Sequence, residues 1–276
     1  MRLRTILSSA AALSAVGAAA QSPEPGEASC SVVAYGAKAD DGALDTAAFN
    51  RAIADCTARS QTVLVPAGTW DLGQVTLVSN LRLHLAGGAV LRASSDLAQF
   101  PPHPALHESG THRPFLIGAG VENVEIFGLG TIDGSGPAYW GKEDVDRIRF
   151  GLIVQGCRNV KVRDITVRDT PMFLMGVMDC DNVVVDGVTL TAPADSPNTD
   201  GLQIIDSSDV RVSNCLIAVG DDGIVPKMRR RVIERLIVDN CTIQSDDGAI
   251  KFGTRSSSGM RDSLFSDITI TKSRYG

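Results

Sequence analysis

At 276 residues, 43% of them hydrophobic, the chain can hold one large domain or two small ones around a sizeable core. Aromatic residues make up only 5%, while Val, Ile, Gly, Asp and Asn are plentiful, so strands punctuated by turns are favoured over long helices. The formal net charge of −6 argues against a nucleic-acid binder, which usually carries a basic face.

Residues 1–20, "MRLRTILSSAAALSAVGAAA", place Arg2 and Arg4 ahead of an apolar stretch and end on Ala18-Ala19-Ala20. That is the layout of a secretory signal peptide with a small-residue cleavage site. A membrane anchor is the alternative, but the segment is short, rich in Ala and Ser, and followed by the loop "QSPEPGEAS". No later stretch is long and apolar enough to span a bilayer. A secreted or periplasmic protein without a membrane partner is expected, with residues 21–276 forming a single domain.

The mature chain opens with a strand, "CSVVAYG", from Cys30. The segment "DTAAFNRAIADC" then places Phe49, Ile53 and Cys56 at helical spacing, with Asp45 as N-cap. From Asn80 onward a unit recurs. Loose versions are "NLRLHLAGGAVL" at Asn80 and "NVEIFGLGTI" at Asn123. Closer ones begin at Asn159 ("NVKVRDITV"), Asn182 ("NVVVDGVTL"), Asp209 ("DVRVSNCLI"), Arg235 ("RLIVDNCTI") and Asp262 ("DSLFSDITI"). Apolar and polar residues alternate in each unit, which then breaks at Asp, Asn or Gly and resumes with a second apolar run. Such alternation gives strands with one buried face. The period is too short for a propeller blade and lacks the leucine ladder of a leucine-rich array. Short β-branched strands with no helix between them predict an all-β parallel β-helix, one coil per repeat. The helix at Asp45–Cys56 then covers its open N-terminal end, as terminal repeats require a cap.

Stacked coils put equivalent residues one above another. The seventh position of the unit reads Ile165, Val188, Cys215, Cys241 and Ile268, an interior ladder. Cys157 and Cys180 share another position, and both cysteine pairs read as small buried apolar residues rather than bridges. No cysteine pair has CxxC spacing or a nearby histidine, so no metal site is expected from them. Cys30 and Cys56 differ: a disulfide between them would tie the first strand to the cap in an oxidising compartment.

Three acidic clusters fall on successive coils near strand ends: "NTDG" at 198–201, "GDDG" at 220–223 and "SDDG" at 245–248. A single Asp-Gly is ordinarily a turn. Doubled carboxylates repel one another, which a merely structural turn has no reason to accept. Close like charges raise one carboxyl's pKa and leave another ionised, supplying an acid and a base for glycoside hydrolysis. A Ca²⁺ site is the other chemical reading.

With "NTDG" followed by "GDD", and with "AYGAKADDGALDTAAFNRAIADC" and "VLVPAGTWDLGQVTLVSNLRLHLAGGAVLRAS" near the start, the sequence resembles glycoside hydrolase family 28. This is the family of polygalacturonases and rhamnogalacturonan hydrolases, and the resemblance covers nearly the whole mature chain. It implies a right-handed parallel β-helix and hydrolysis of a pectic polysaccharide with inversion. Asp221 is then the general acid, Asp200 and Asp222 hold and activate the attacking water, and Asn198 is a supporting polar contact. Two departures stand out. Where the family has a Gly-His-Gly turn, this chain reads Asp246-Asp247-Gly248, and its histidines, 84, 103, 107 and 112, lie far upstream. Asp247 is expected there either as a substitute polar contact with substrate, as part of a subsite for a neutral sugar, or as the mark of a chain that is not an ordinary polygalacturonase. The family's Arg-Ile-Lys motif should follow "TKSRYG", where the sequence stops in mid-unit, so the domain is expected to be incomplete at that end.

A pectic substrate is polyanionic, and local cations would have to offset the acidic balance. Lys227, Arg229, Arg230 and Arg231 follow one acidic turn, and Lys251 and Arg255 the next. They are either a solvated loop or carboxylate recognition, to which Lys227 and Lys251 are the expected contributors. Trp70, Tyr139 and Trp140 fit packing better than sugar stacking. No cofactor is expected, and the chain is expected to be a monomer. A Ca²⁺-dependent lyase and a non-catalytic polysaccharide-binding β-helix are the competing readings.

Overall fold

A computed structural model describes residues 28–104, 106 and 112–275. The signal-peptide reading of residues 1–20 lies outside the described residues. Three strands per coil stack into three long sheets. The first has nine strands, running from Ser29–Ser31 to Leu264–Ser266. The second has eight, Gly68–Leu72 to Thr269–Lys272, and the third six, Val75–Thr76 to Ile224–Lys227. Every strand pairing among the described residues is parallel. Parallel crossovers are right-handed almost without exception, so this is a right-handed parallel β-helix.

The repeat follows from two backbone requirements. Between the first and second strands of a coil the chain turns through a left-handed residue: Asp164 (φ 65°), Gly187 (64°), Asn214 (56°), Asn240 (49°) and Asp267 (51°). Short polar side chains and glycine tolerate that region best, which is why each unit breaks at Asp, Asn or Gly. A second left-handed position recurs at Asn80, Asn123, Asn159 and Asn182. There the side-chain amides form a ladder up the stack, each Nδ2 donating to the Oδ1 of the preceding coil at 2.8–3.0 Å.

Inside, Ile165, Val188, Cys215 and Cys241 are buried in one continuous core, with Ile268 packed against it. Cys157, Cys180, Cys215 and Cys241 are free thiols. The helix Thr46–Ala58 buries Ala48, Phe49, Ala52, Ile53 and Cys56 in the same core. Asp45 occupies the N-cap position without capping through its side chain; its Oδ1 instead accepts the Lys38 amide at 3.0 Å. A Cys30–Cys56 disulfide, Cα atoms 5.9 Å apart, ties the first strand to this helix. Trp70 and Tyr139 are core residues, and the Trp140 indole donates to the Thr170 carbonyl at 3.1 Å.

Candidate active site

The corner between the second and third sheets carries all three acidic clusters. Leu202 pairs with Ile224, and Ile224 with Ile250. The ladder continues into the corner, where the Gly201 amide donates to the Asp222 carbonyl and the Gly223 amide to that of Gly248, both at 2.8 Å. Carried back along this register, Asp200 stacks on Asp222, and Asp221 on Asp247. The glycines after the aspartates serve this close stacking. A Cβ on Gly201 would lie 2.6 Å from the Gly223 carbonyl oxygen, and one on Gly223 2.5 Å from that of Ala249.

Asp200, Asp221 and Asp222 each bring a carboxylate oxygen to within 4.8 Å of the others. Asp200 and Asp222 are only 5% and 4% exposed, and Asp221 is half-buried. Burial, reinforced by the Asp221 and Asp222 charges, pushes the Asp200 carboxyl up to about 7 despite Lys227 and a 2.8 Å hydrogen bond from Gln203 Nε2. The Asp221 carboxyl is also raised, by burial first and then by Asp222 and Asp247, while Lys251 opposes the shift. Asp222 is held differently: its Oδ2 lies 2.8 Å from Lys251 Nζ and its Oδ1 accepts the Gly248 amide at 3.1 Å. Three crowded acids thus divide into two that keep protons above the usual carboxylate range and one in an ion pair.

A cleft of about 270 Å³ gathers Asn198, Asp200, Asp221, Asp222, Lys227 and Lys251. Asn198, in a left-handed conformation (φ 58°), accepts from the buried Arg147 at 2.7 Å, an arginine that also donates to the Pro171 carbonyl at 3.2 Å. Asn198 is therefore braced from behind the cleft. Lys251 is already engaged: besides Asp222 it meets Asp247 Oδ2 at 3.4 Å. Asp247 itself faces a neighbouring cleft of about 420 Å³ together with Asp195, Asp246 and Arg274, and Asp221 forms the wall between the two. Arg230 and Arg231 turn away, Arg230 to Asp179 and Asp206 and Arg231 to Asp181. The cause is the buried Asp206 carboxylate, which accepts the backbone amides of Arg229, Arg230 and Arg231 at 2.7, 2.9 and 3.1 Å and so wraps the loop around itself.

Arg149 and Phe173 also line this cleft, and Gln203 donates to Asp200; all three lie on or beside strands of the third sheet, whose unbroken apolar runs carry no alternation in the sequence to mark them. Arg149 opens "RFGLIVQG", a single cation before an apolar run, and that was its only signal. A larger cleft, about 610 Å³, lies on the outside of the second sheet around Asp71, Arg92, Asp133 and Asp169. There Arg92 is held by both oxygens of Asp71, at 2.6 and 2.7 Å, and among the described residues no crowded carboxylate trio forms there, which leaves the smaller cleft as the candidate site. None of the described histidines, His84, His103 and His112, lines that smaller cleft.

Residues 56–276 match the family described as Glycosyl hydrolases family 28. A probable polygalacturonase of Vitis vinifera is 28% identical over 278 residues, covering 90% of this chain and 56% of the relative. An exopolygalacturonase of Zea mays is 33% identical over 174 residues, 59% of this chain and 40% of the relative. The chain thus spans about half the length of these relatives. Among solved structures, a hyperthermoactive exopolygalacturonase from Thermotoga maritima superposes with a TM-score of 0.77 at 19% identity, over 91% of this chain and 69% of that one.

Proposed function

The chain belongs to glycosyl hydrolases family 28, and from that membership we propose that it is an exported enzyme hydrolysing a pectic polysaccharide of the polygalacturonan or rhamnogalacturonan type. The observation that carries this reading is the trio Asp200, Asp221 and Asp222, with oxygens within 4.8 Å, two raised carboxyls and one ion-paired carboxylate in the same cleft. Asp221, the less buried of the two proton carriers, reaches the cleft from its rim and gives its proton to the glycosidic oxygen as the bond to the anomeric carbon breaks. A water held between Asp200 and Asp222 attacks that carbon from the opposite face. Its proton passes to the Asp222 carboxylate, while Asp200 orients it by hydrogen bonding. Solvent returns a proton to Asp221 and takes one from Asp222.

The lyase reading is weakened by the donor set. Ca²⁺ takes six to eight oxygen ligands, whereas here Lys251 is paired with Asp222 and Lys227 lies close enough to Asp200 to act on its carboxyl. Inversion is the reading preferred because two acidic groups, Asp200 and Asp222, remain to hold a water once Asp221 acts as acid.

The test is product analysis on polygalacturonate and rhamnogalacturonan, following new reducing ends together with the ultraviolet absorbance of unsaturated uronate. Reducing ends without that absorbance support hydrolysis. Unsaturated product would overturn it in favour of a lyase, and binding without turnover would make the protein a polysaccharide-binding β-helix.

A further inference from the structure

The outer face of the first sheet carries a cleft of about 400 Å³, away from the catalytic corner between the second and third sheets. It is lined by Arg82, Glu125 and Lys161 and by the exposed Asn123, Asn159 and Asn182. Its floor is held in place from three coils. Glu125 accepts from Arg82 Nε at 3.0 Å and from Arg163 Nε at 2.8 Å. Both guanidinium carbons lie over the buried Phe127 ring, 5.3 and 5.0 Å from its centroid, and His84 stacks on that ring at 4.9 Å.

Charge is arranged here against the balance of the whole chain, whose formal net charge is −6. On the adjacent strands Arg82–Leu85, Glu122–Gly128 and Arg158–Arg163, the cations Arg82, Arg158, Lys161 and Arg163 outnumber the acids Glu122 and Glu125. Elsewhere on the surface cations are tied, Arg92 to Asp71, Arg230 to Asp179 and Arg235 to Asp209. Arg158 and Lys161 are exposed on one strand, and among the described residues neither has an ion-pair partner. The register explains why for Lys161. The acid beside it is Glu125, and both oxygens of Glu125 are already taken by Arg82 and Arg163. The asparagine ladder adds a second feature. Each rung uses one Nδ2 hydrogen and one Oδ1 lone pair on its neighbours, leaving another of each open to solvent. The rungs follow at the strand spacing, about 4.8 Å, close to the advance of one pyranose along an extended polysaccharide.

We infer that this face is a second, non-catalytic docking site for a uronic acid polysaccharide, with Arg158 and Lys161 holding carboxylates and the asparagine ladder holding hydroxyls. The identity of the polymer rests on the pectic reading of the catalytic cleft. Each coil has three sides, and the first sheet is a different side from the corner that carries the acids, so a chain docked here leaves the cleft open to another segment. Docking then raises the local concentration of polymer at the cleft and takes no part in breaking the bond.

The test is binding, in an Asp221→Asn background so that the polymer stays intact. Biolayer interferometry compares immobilised polygalacturonate with its carboxyl-reduced, neutral counterpart, with and without Arg158→Glu and Lys161→Glu together. The double reversal is expected to weaken binding to polygalacturonate about five- to tenfold at low salt, the scale of reversing two exposed charges. The loss should shrink at about 0.5 M salt, which screens exposed charges. Affinity for the neutral polymer is expected to stay within about twofold, because the reversed charges meet no carboxylate there. A second measurement needs no variant at these positions: polygalacturonate is expected to protect Lys161 from acetylation, read by peptide mass spectrometry. No binding to polygalacturonate, an unchanged affinity in the double variant, or Lys161 acetylated equally with and without polymer overturns the inference. The wild-type product assay reports separately: binding sensitive to Arg158 and Lys161 but no hydrolysis would sink the enzymatic proposal and leave the docking site standing.

Discussion

Replacing Asp200 by asparagine should stabilise the protein, and increasingly so as pH rises. Asp200 is 5% exposed and its carboxyl is pushed from 3.8 to about 7, by burial first and by Asp221 and Asp222 next. A carboxyl whose pKa is raised on folding contributes stability that is fully present below its unfolded value, near 3.8, and lost as pH climbs through the folded value, near 7. Between pH 5 and pH 8 about two units of that loss fall on the folded wild type, or about 3 kcal/mol at roughly 1.4 kcal/mol per unit. The replacement amide does not titrate, and its oxygen can still accept from Gln203 Nε2, which meets Asp200 Oδ2 at 2.8 Å. Thermal melts followed by circular dichroism at pH 5 and pH 8 should therefore show the gap in Tm, variant above wild type, widening by roughly 6–12 °C at the higher pH. A gap that stays constant or narrows would refute the assignment of Asp200 as a buried carboxyl that keeps its proton near neutrality.

Asp221→Asn should leave the melting temperature within a few degrees and lower kcat by about 10²–10⁴, the usual worth of a positioned general acid, measured by reducing-end release. Lys251→Met removes the cation that opposes the rise at Asp221, so the pH profile of kcat/KM should move upward; an unmoved profile would mean that Lys251 does not act on Asp221. Replacing Cys30 and Cys56 together by serine opens a bridge across a separation of 26 residues and should cost about 3–4 kcal/mol in denaturant unfolding, with the catalytic cleft unaffected.

The β-helix was legible because its rules are local and repeated. A period-two pattern fixed the inward face, and the left-handed turns at Asp164, Gly187, Asn214 and Asn240 punctuated it in plain sight. The acidic trio was legible for the same reason, since equal register brings Asp200 over Asp222. What the sequence hid depends on outer-face packing. The third sheet's strand "FGLIVQ" is buried on both sides, so alternation vanishes and Arg149 carries no periodic cue. The run Lys227–Arg231 read as one basic patch, yet Asp206 turns Arg230 and Arg231 out while Lys227 stays in. Lys251 reads as a substrate contact in the sequence, and its ion pairs to Asp222 on the preceding coil and Asp247 on its own emerge only when the coils are stacked.

The central claim is that the trio hydrolyses its substrate with Asp221 as the acid and a water held by Asp200 and Asp222. Proton NMR of the first anomer released from a pectic oligomer tests it most directly, in the wild type and in Asp221→Asn. The account predicts an anomer inverted relative to the substrate linkage, formed by the wild type and not by the variant. A retained anomer would contradict it and place a carboxylate, rather than water, in the attacking position.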